Sequence, residues 1–178
     1  MNSLINLMTV IGVEKTLIIA CGQYAMSDYI EYTDDVSLFY LPNNILQRYD
    51  AREKARLQEA IDKCQCSQVV FLGLLDEETQ RLLSVHNSLH SLRAGFCYNT
   101  KLLPVNVQPV ISECLRMRAL LEQHVETQCS YLMDFHFITH KVKTGKLSIR
   151  GVVGSPELND CTTVFCNGVR FNDLVSMN

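Results

Sequence analysis

Of the side chains that could do acid–base, nucleophilic or metal chemistry, this sequence spaces few in a working pattern. Cysteine is the richest source, at Cys21, Cys64, Cys66, Cys97, Cys114, Cys129, Cys161 and Cys166. Cys64-Gln65-Cys66 is a C-x-C pair, and no second pair stands near enough to complete a four-thiolate zinc centre. His86 and His90 are four residues apart, a spacing that puts two imidazoles on one helical face. On a helix starting at Asp76 they would lie roughly 13 and 20 Å beyond Glu77, at 1.5 Å per residue, without a third ligand. His136 and His140 flank Phe137-Ile138-Thr139 in a stretch that reads as strand, where both would point to one face and serve packing or oligomer contact. Asp76, Glu77 and Glu78 crowd a helix start, where carboxylates favour the positive end of the dipole without any catalytic duty. Cys21 has no histidine beside it in sequence to act as its base, so a buried thiol is expected there in preference to a nucleophile.

The elements that must position these groups alternate between strand and helix. Thr16-Leu-Ile-Ile-Ala-Cys21-Gly22-Gln23-Tyr24-Ala25 is a strand running out into a loop, and Val36–Leu41 is a second strand closed by Pro42-Asn43-Asn44. An asparagine cap then predicts a helix to about Cys64, with Ile45, Leu46, Tyr49, Leu57, Ala60, Ile61 and Cys64 on its apolar stripe. Gln68–Leu75 is continuously apolar, as a strand buried on both faces must be. A helix beginning at Asp76 follows. Val107, Val110, Ile111, Cys114, Met117, Leu121 and Val125 then mark a long amphipathic helix. Tyr131–Thr139, Lys146–Val153 and Thr162–Phe165 read as strands, with Thr144-Gly145 and Gly154-Ser155-Pro156 as breaks. The expected fold class is α/β: a mostly parallel central sheet flanked by helices, with antiparallel edge strands at the C-terminal end. One domain spans 1–178, with an N-terminal segment 1–15 and a C-terminal extension 154–178.

Composition narrows the function classes. Hydrophobic residues are 47% of the chain, charged residues 20%, and the net charge is -3. That balance offers no general attraction for nucleic acid or anionic lipid, and Lys and Arg are scattered without a basic stripe. Residues 1–16 lack a basic leader pattern, and Glu14 and Lys15 break their apolar run before it could span a bilayer. Buried free thiols in a reducing cytoplasm are the expectation, with no membrane and no nucleic-acid partner.

With these elements in place the chain resembles the beta-class carbonic anhydrases, zinc lyases that interconvert carbon dioxide and bicarbonate. In that family a first strand ends in C-x-D-x-R, a later one in G-H-x-x-C, and a G-x-L-x-I-x-G strand follows towards the C-terminus. Here the three places hold Cys21-Gly22-Gln23-Tyr24-Ala25, Gly73-Leu74-Leu75-Asp76-Glu77 and Gly145-Lys146-Leu147-Ser148-Ile149-Arg150-Gly151. The likeness runs from about Thr16 to Val153. It implies that Cys21 matches the first metal thiolate, Leu74 stands at the histidine place and Glu77 at the second thiolate. Gln23 and Ala25 replace the aspartate–arginine pair, and Tyr40-Leu41-Pro42-Asn43-Asn44 departs from the family's R-N-A turn. A vestigial pocket of Cys21, Gln23, Leu74, Asp76 and Glu77 is what the resemblance leaves.

A catalytic zinc needs three protein ligands and an open position for water. One thiolate and a carboxylate fall short of that count, so the expected cofactor is none. Without the metal, nothing lowers the pKa of water from about 15.7 towards 7. The expected function is a carbonic anhydrase-like protein without hydration activity, serving as an interaction or regulatory subunit. Two alternatives stand beside it. One is a zinc-dependent carbonate dehydratase with relocated ligands, such as Cys21 with Asp76 or Glu77 and a group from a neighbouring subunit. The other is a small-molecule binding domain in which Leu74, Leu75, Gln23 and Tyr24 line the vacated crevice. Family members resemble dimers or dimers of dimers, and the apolar segment Met1–Val13 suits a subunit contact, so a homodimer or higher homo-oligomer is expected, with room for a separate protein partner.

Overall fold

Six strands form one sheet in the order β2-β1-β3-β4-β5-β6. They are β1 (Thr16–Cys21), β2 (Val36–Leu41), β3 (Gln68–Leu74), β4 (Ser148–Ser155), β5 (Asp160–Cys166) and β6 (Val169–Arg170). The computed structural model describes residues 14–21, 35–41, 49–75, 79, 109–155 and 160–170. The first four strands in that order are parallel to one another, and β5 and β6 extend the sheet antiparallel. This is the expected mostly parallel sheet with antiparallel strands at its C-terminal edge. Thr16 pairs with both Val36 and Gln68, and Gln68 in turn with Ser148, so four strands start level.

Every residue of β3 is buried, which fits its central place and the apolar run Val69–Leu74. The side chains divide by period two. Leu17, Ile19, Val69, Phe71 and Ile149 face a large cluster with three helices. Ile18, Ala20, Val70, Leu72, Leu74 and Val152 form a smaller cluster on the other face, to which none of the described helices contributes a buried side chain. The helices are α1 (Ala51–Cys64), α2 (Pro109–Met133) and α3 (His136–Lys143). Leu57 and Ile61 anchor α1, Met117, Leu121, Val125, Cys129 and Leu132 anchor α2 along one row, and Ile138 anchors α3. Among the described residues no helix is long and apolar enough to cross a membrane.

Three sequence expectations need correction. Helix α1 starts at Ala51 and is capped by Asp50, not by an asparagine at the Pro42-Asn43-Asn44 break. The Asp50 carboxylate accepts from Glu53 N at 2.7 Å while Glu53 accepts from Asp50 N at 2.9 Å, a closed capping box written in the sequence as D-A-R-E. Ile45 and Leu46 lie outside the described residues. The stretch 131–139 is mostly helical: α2 runs on to Met133, Asp134 and Phe135 make a turn, and α3 starts at His136. Aromatic and β-branched residues favour strands only where a sheet receives them. Here Leu132 and Ile138 are buried in the helical layer, and the Thr139 hydroxyl donates to the carbonyls of Met133 and Phe135, satisfying the end of α2. Finally β1 stops at Cys21, and β4 and β5 sit at 148–155 and 160–166. An unforeseen β6 follows the turn Asn167-Gly168, whose φ values of 49° and 99° suit a tight hairpin. Of the helix expected from Asp76 only Thr79 is described, and it is helical; Val107 and Met1–Val13 lie outside the described residues.

Candidate functional site at the carboxyl edge of the sheet

Because β1 and β3 are parallel neighbours, both end at the same edge of the sheet. Ala20 is level with Leu72, so Cys21 comes level with Gly73 and one residue short of Leu74. With strands about 4.8 Å apart and an offset of about 3.3 Å, the α-carbons of Cys21 and Leu74 stand roughly 6 Å apart. Cys21 is also level with Leu41, the last residue of β2. On the other side Leu74 is paired with Gly154, and Leu75 N donates to the Gly154 carbonyl at 2.8 Å. Ligands of open parallel sheets gather beyond such an edge.

The two faces of this edge differ. On the helical face, α2 closes directly over Gly73: a Cβ there would come within 2.7 Å of Val125 Cγ2 and 2.9 Å of Leu121 Cδ1. On the other face Leu74 is 5% exposed and belongs to the cluster of Ile18, Leu72 and Val152. Its side chain is packed as hydrocarbon among hydrocarbon.

Of the residues that sequence reasoning assigned to the pocket, the structure therefore brings Cys21 and Leu74 to adjoining strand ends. Gln23, Asp76 and Glu77 lie outside the described residues, as do His86 and His90. His136 and His140 sit elsewhere, exposed on α3, whose Lys141 meets Asp62 near the end of α1 at 2.7 Å. That is the opposite, amino edge, where β3 and β4 begin. Among the described residues no group of three or more His, Cys, Asp or Glu is placed to hold a metal ion.

Cys64, Cys66, Cys129, Cys161 and Cys166 form no disulfide. Burial pushes the Cys66 thiol up to about 11, with the nearby Cys64 adding to the effect. Cys129 is raised well above the ordinary thiol range, first by burial and then by the Glu126 carboxylate. Both stay protonated at neutral pH and are poor nucleophiles. One buried imidazole went unremarked in the sequence: His124 on α2, 4% exposed, packs edge-on against Phe71 with centroids 5.9 Å apart. Its signal was a histidine three residues after Leu121 in an apolar stripe, on the flank that turns towards β3.

No protein-family model matches the chain, and no curated protein matches it in sequence. Solved structures do match. The beta-carbonic anhydrase CafD of the filamentous fungus Aspergillus fumigatus aligns over 86% of this chain and 91% of its own, at 18% identity and a TM-score of 0.58. One of the tetrameric beta-carbonic anhydrases of the ascomycete Sordaria macrospora covers 86% and 81%, at 14% identity and 0.57. The Coccomyxa beta-carbonic anhydrase, solved with acetazolamide, covers 88% and 75%, at 13% identity and 0.53. The chain has the beta-carbonic anhydrase fold. The likeness extends across most of each protein.

Proposed function

We propose that this chain is a carbonic anhydrase-like protein without carbon dioxide hydration activity, acting as a non-catalytic interaction or regulatory subunit. The observation that carries the reading is Leu74. At the place where the resemblance puts an imidazole ligand, the chain has a side chain with no lone pair, 5% exposed and part of the apolar cluster that includes Leu72 and Val152. The donor set does not fit zinc: Cys21 is one thiolate, Leu74 offers nothing, and Glu77 replaces sulfur by a carboxylate. Gln23 and Ala25 further remove the charged pair that the family places beside the metal. No hydration step is derived for a site so furnished.

The same reading covers assembly and location. A homodimer or higher homo-oligomer is proposed, in keeping with the tetrameric Sordaria macrospora proteins of the same fold. A reducing cytoplasm suits Cys64, Cys66, Cys129, Cys161 and Cys166, which form no disulfide.

The test is zinc content and stopped-flow hydration of carbon dioxide, measured on full-length protein dialysed against a chelator and then returned to zinc. The expected result is no chelator-resistant zinc and no rate above buffer. Zinc that survives the chelator and disappears in Cys21→Ser, together with turnover lost in that variant, would overturn the proposal. Light scattering at micromolar concentration should give at least a dimer mass, and a monomer would remove the assembly part.

A further inference from the structure

Correcting 136–143 from strand to helix changes what its two histidines can do. Along a strand, residues four apart are separated by about 13 Å, too far to share one ion. On α3, His136 and His140 are one turn apart and about 40° round the axis. Their rings lie parallel, within 10°, with centroids 6.4 Å apart, and both residues are exposed. We propose that His136 and His140 form a surface chelate for one late divalent transition ion, of the kind that nickel represents.

A ring nitrogen binds such an ion at about 2.0–2.1 Å. The metal then sits about 3 Å from each ring centre, so a shared ion needs centroids about 5 Å apart. Closing the remaining distance takes a small side-chain rotation, which exposed rings can make without moving the backbone. Two imidazoles one turn apart are the pair that helical H-E-x-x-H zinc motifs use. In this chain the pattern is His136-Phe137-Ile138-Thr139-His140. Phe137 and Thr139 are half-buried and Ile138 is buried, so the intervening residues hold the helix down while the imidazoles face water. The Thr139 hydroxyl is engaged with backbone carbonyls and is no third ligand. Water fills the remaining coordination positions, which makes the ion exchangeable.

The charges around the pair work against the metal. Lys143 is three residues past His140 on the same side of α3, and His136 begins the helix, where the dipole is positive. Lys141 is tied to Asp62 and contributes less. Binding in the micromolar range follows, preferring ions suited to imidazole over the hard, oxygen-seeking ones.

Isothermal titration of chelator-treated full-length protein with nickel chloride tests this. One saturable site per chain is expected. His136→Gln and His140→Gln should each weaken it at least tenfold, with unchanged melting in the absence of metal, because both side chains are exposed. Cys21→Ser should leave it intact, which separates this site from the strand-end position discussed above. Lys143→Gln should tighten it about twofold by removing a like charge from a screened surface. No saturable uptake, or equal uptake by both histidine variants, would overturn the proposal. Loss of the site in Cys21→Ser would do so too.

Discussion

Gly151→Ala should destabilise the protein by overpacking against α2 and β5, and the share owed to Val125, the nearest neighbour, can be isolated. A Cβ at Gly151 would stand 2.8 Å from Val125 Cγ1, 3.0 Å from Cys129 Sγ and 3.0 Å from Phe165 Cβ. Phe165 Cβ is fixed to the backbone of β5, and a valine on a helix is held in one rotamer, so neither neighbour can swing away. Helix α2 must lift from β4 or the strand must bend. Overpacking of this kind costs about 2–3 kcal/mol, or a melting point lower by about 5–10 °C for a chain of this length. Val125→Ala alone removes two buried methyls and costs about 1–3 kcal/mol. In the double variant the new methyl enters space that Val125 has vacated, so the combined loss should fall short of the sum by about 1 kcal/mol or more. Urea denaturation followed by circular dichroism measures all four corners of the cycle. Additive losses, or a Gly151→Ala protein as stable as the parent, would refute the claim that Val125 is what requires the glycine. Gly73 gives an independent repeat, since its Cβ would strike the other methyl of the same valine at 2.7 Å.

Two further outcomes follow from local chemistry. Asp50→Ala opens the capping box of α1 and should cost about 1 kcal/mol, read as an earlier urea midpoint; no shift would mean that the box contributes nothing. Cys66 has its thiol raised from 9.0 to about 11 by burial, so between pH 9 and 11 the unfolded chain releases a proton that the folded chain retains. Stability present below pH 9 is therefore lost as pH rises through that window. Cys66→Ala should flatten this part of the pH profile, and parallel profiles for the two proteins would contradict the assignment.

The parallel sheet was legible because its strands have no competing pattern. Val69–Leu74 is apolar at every position, Val36–Leu41 matched to the residue, and the Leu121–Val125 stripe of α2 repeats as a helix must. Residues 131–139 misled because local preference and tertiary demand disagree there. Their aromatic and β-branched side chains suit a strand, yet Leu132 and Ile138 complete a helical layer and Thr139 caps it. The capping box at Asp50 and the Asn167-Gly168 turn were readable, each from four residues or fewer, but both are short signals beside long apolar runs. At the site, strand ends identified Cys21 and Leu74. What placed them side by side was the strand order β2-β1-β3-β4, a tertiary fact that period and composition do not contain. The glycines of the G-x-L-x-I-x-G stretch were visible too, while the reason for Gly151, Val125 on a distant helix, was not.

The same packing bears on whether a histidine could be accommodated at position 74. An imidazole in place of Leu74 would enter the cluster of Ile18, Leu72 and Val152, where its second nitrogen needs a partner. A buried polar group left unsatisfied costs about 1–3 kcal/mol. A metal would repay that loss only with Cys21 and a second thiolate already present, and Glu77 supplies a carboxylate instead. On the proposed reading, a histidine placed at 74 alone is therefore a destabilising step with no metal to offset it.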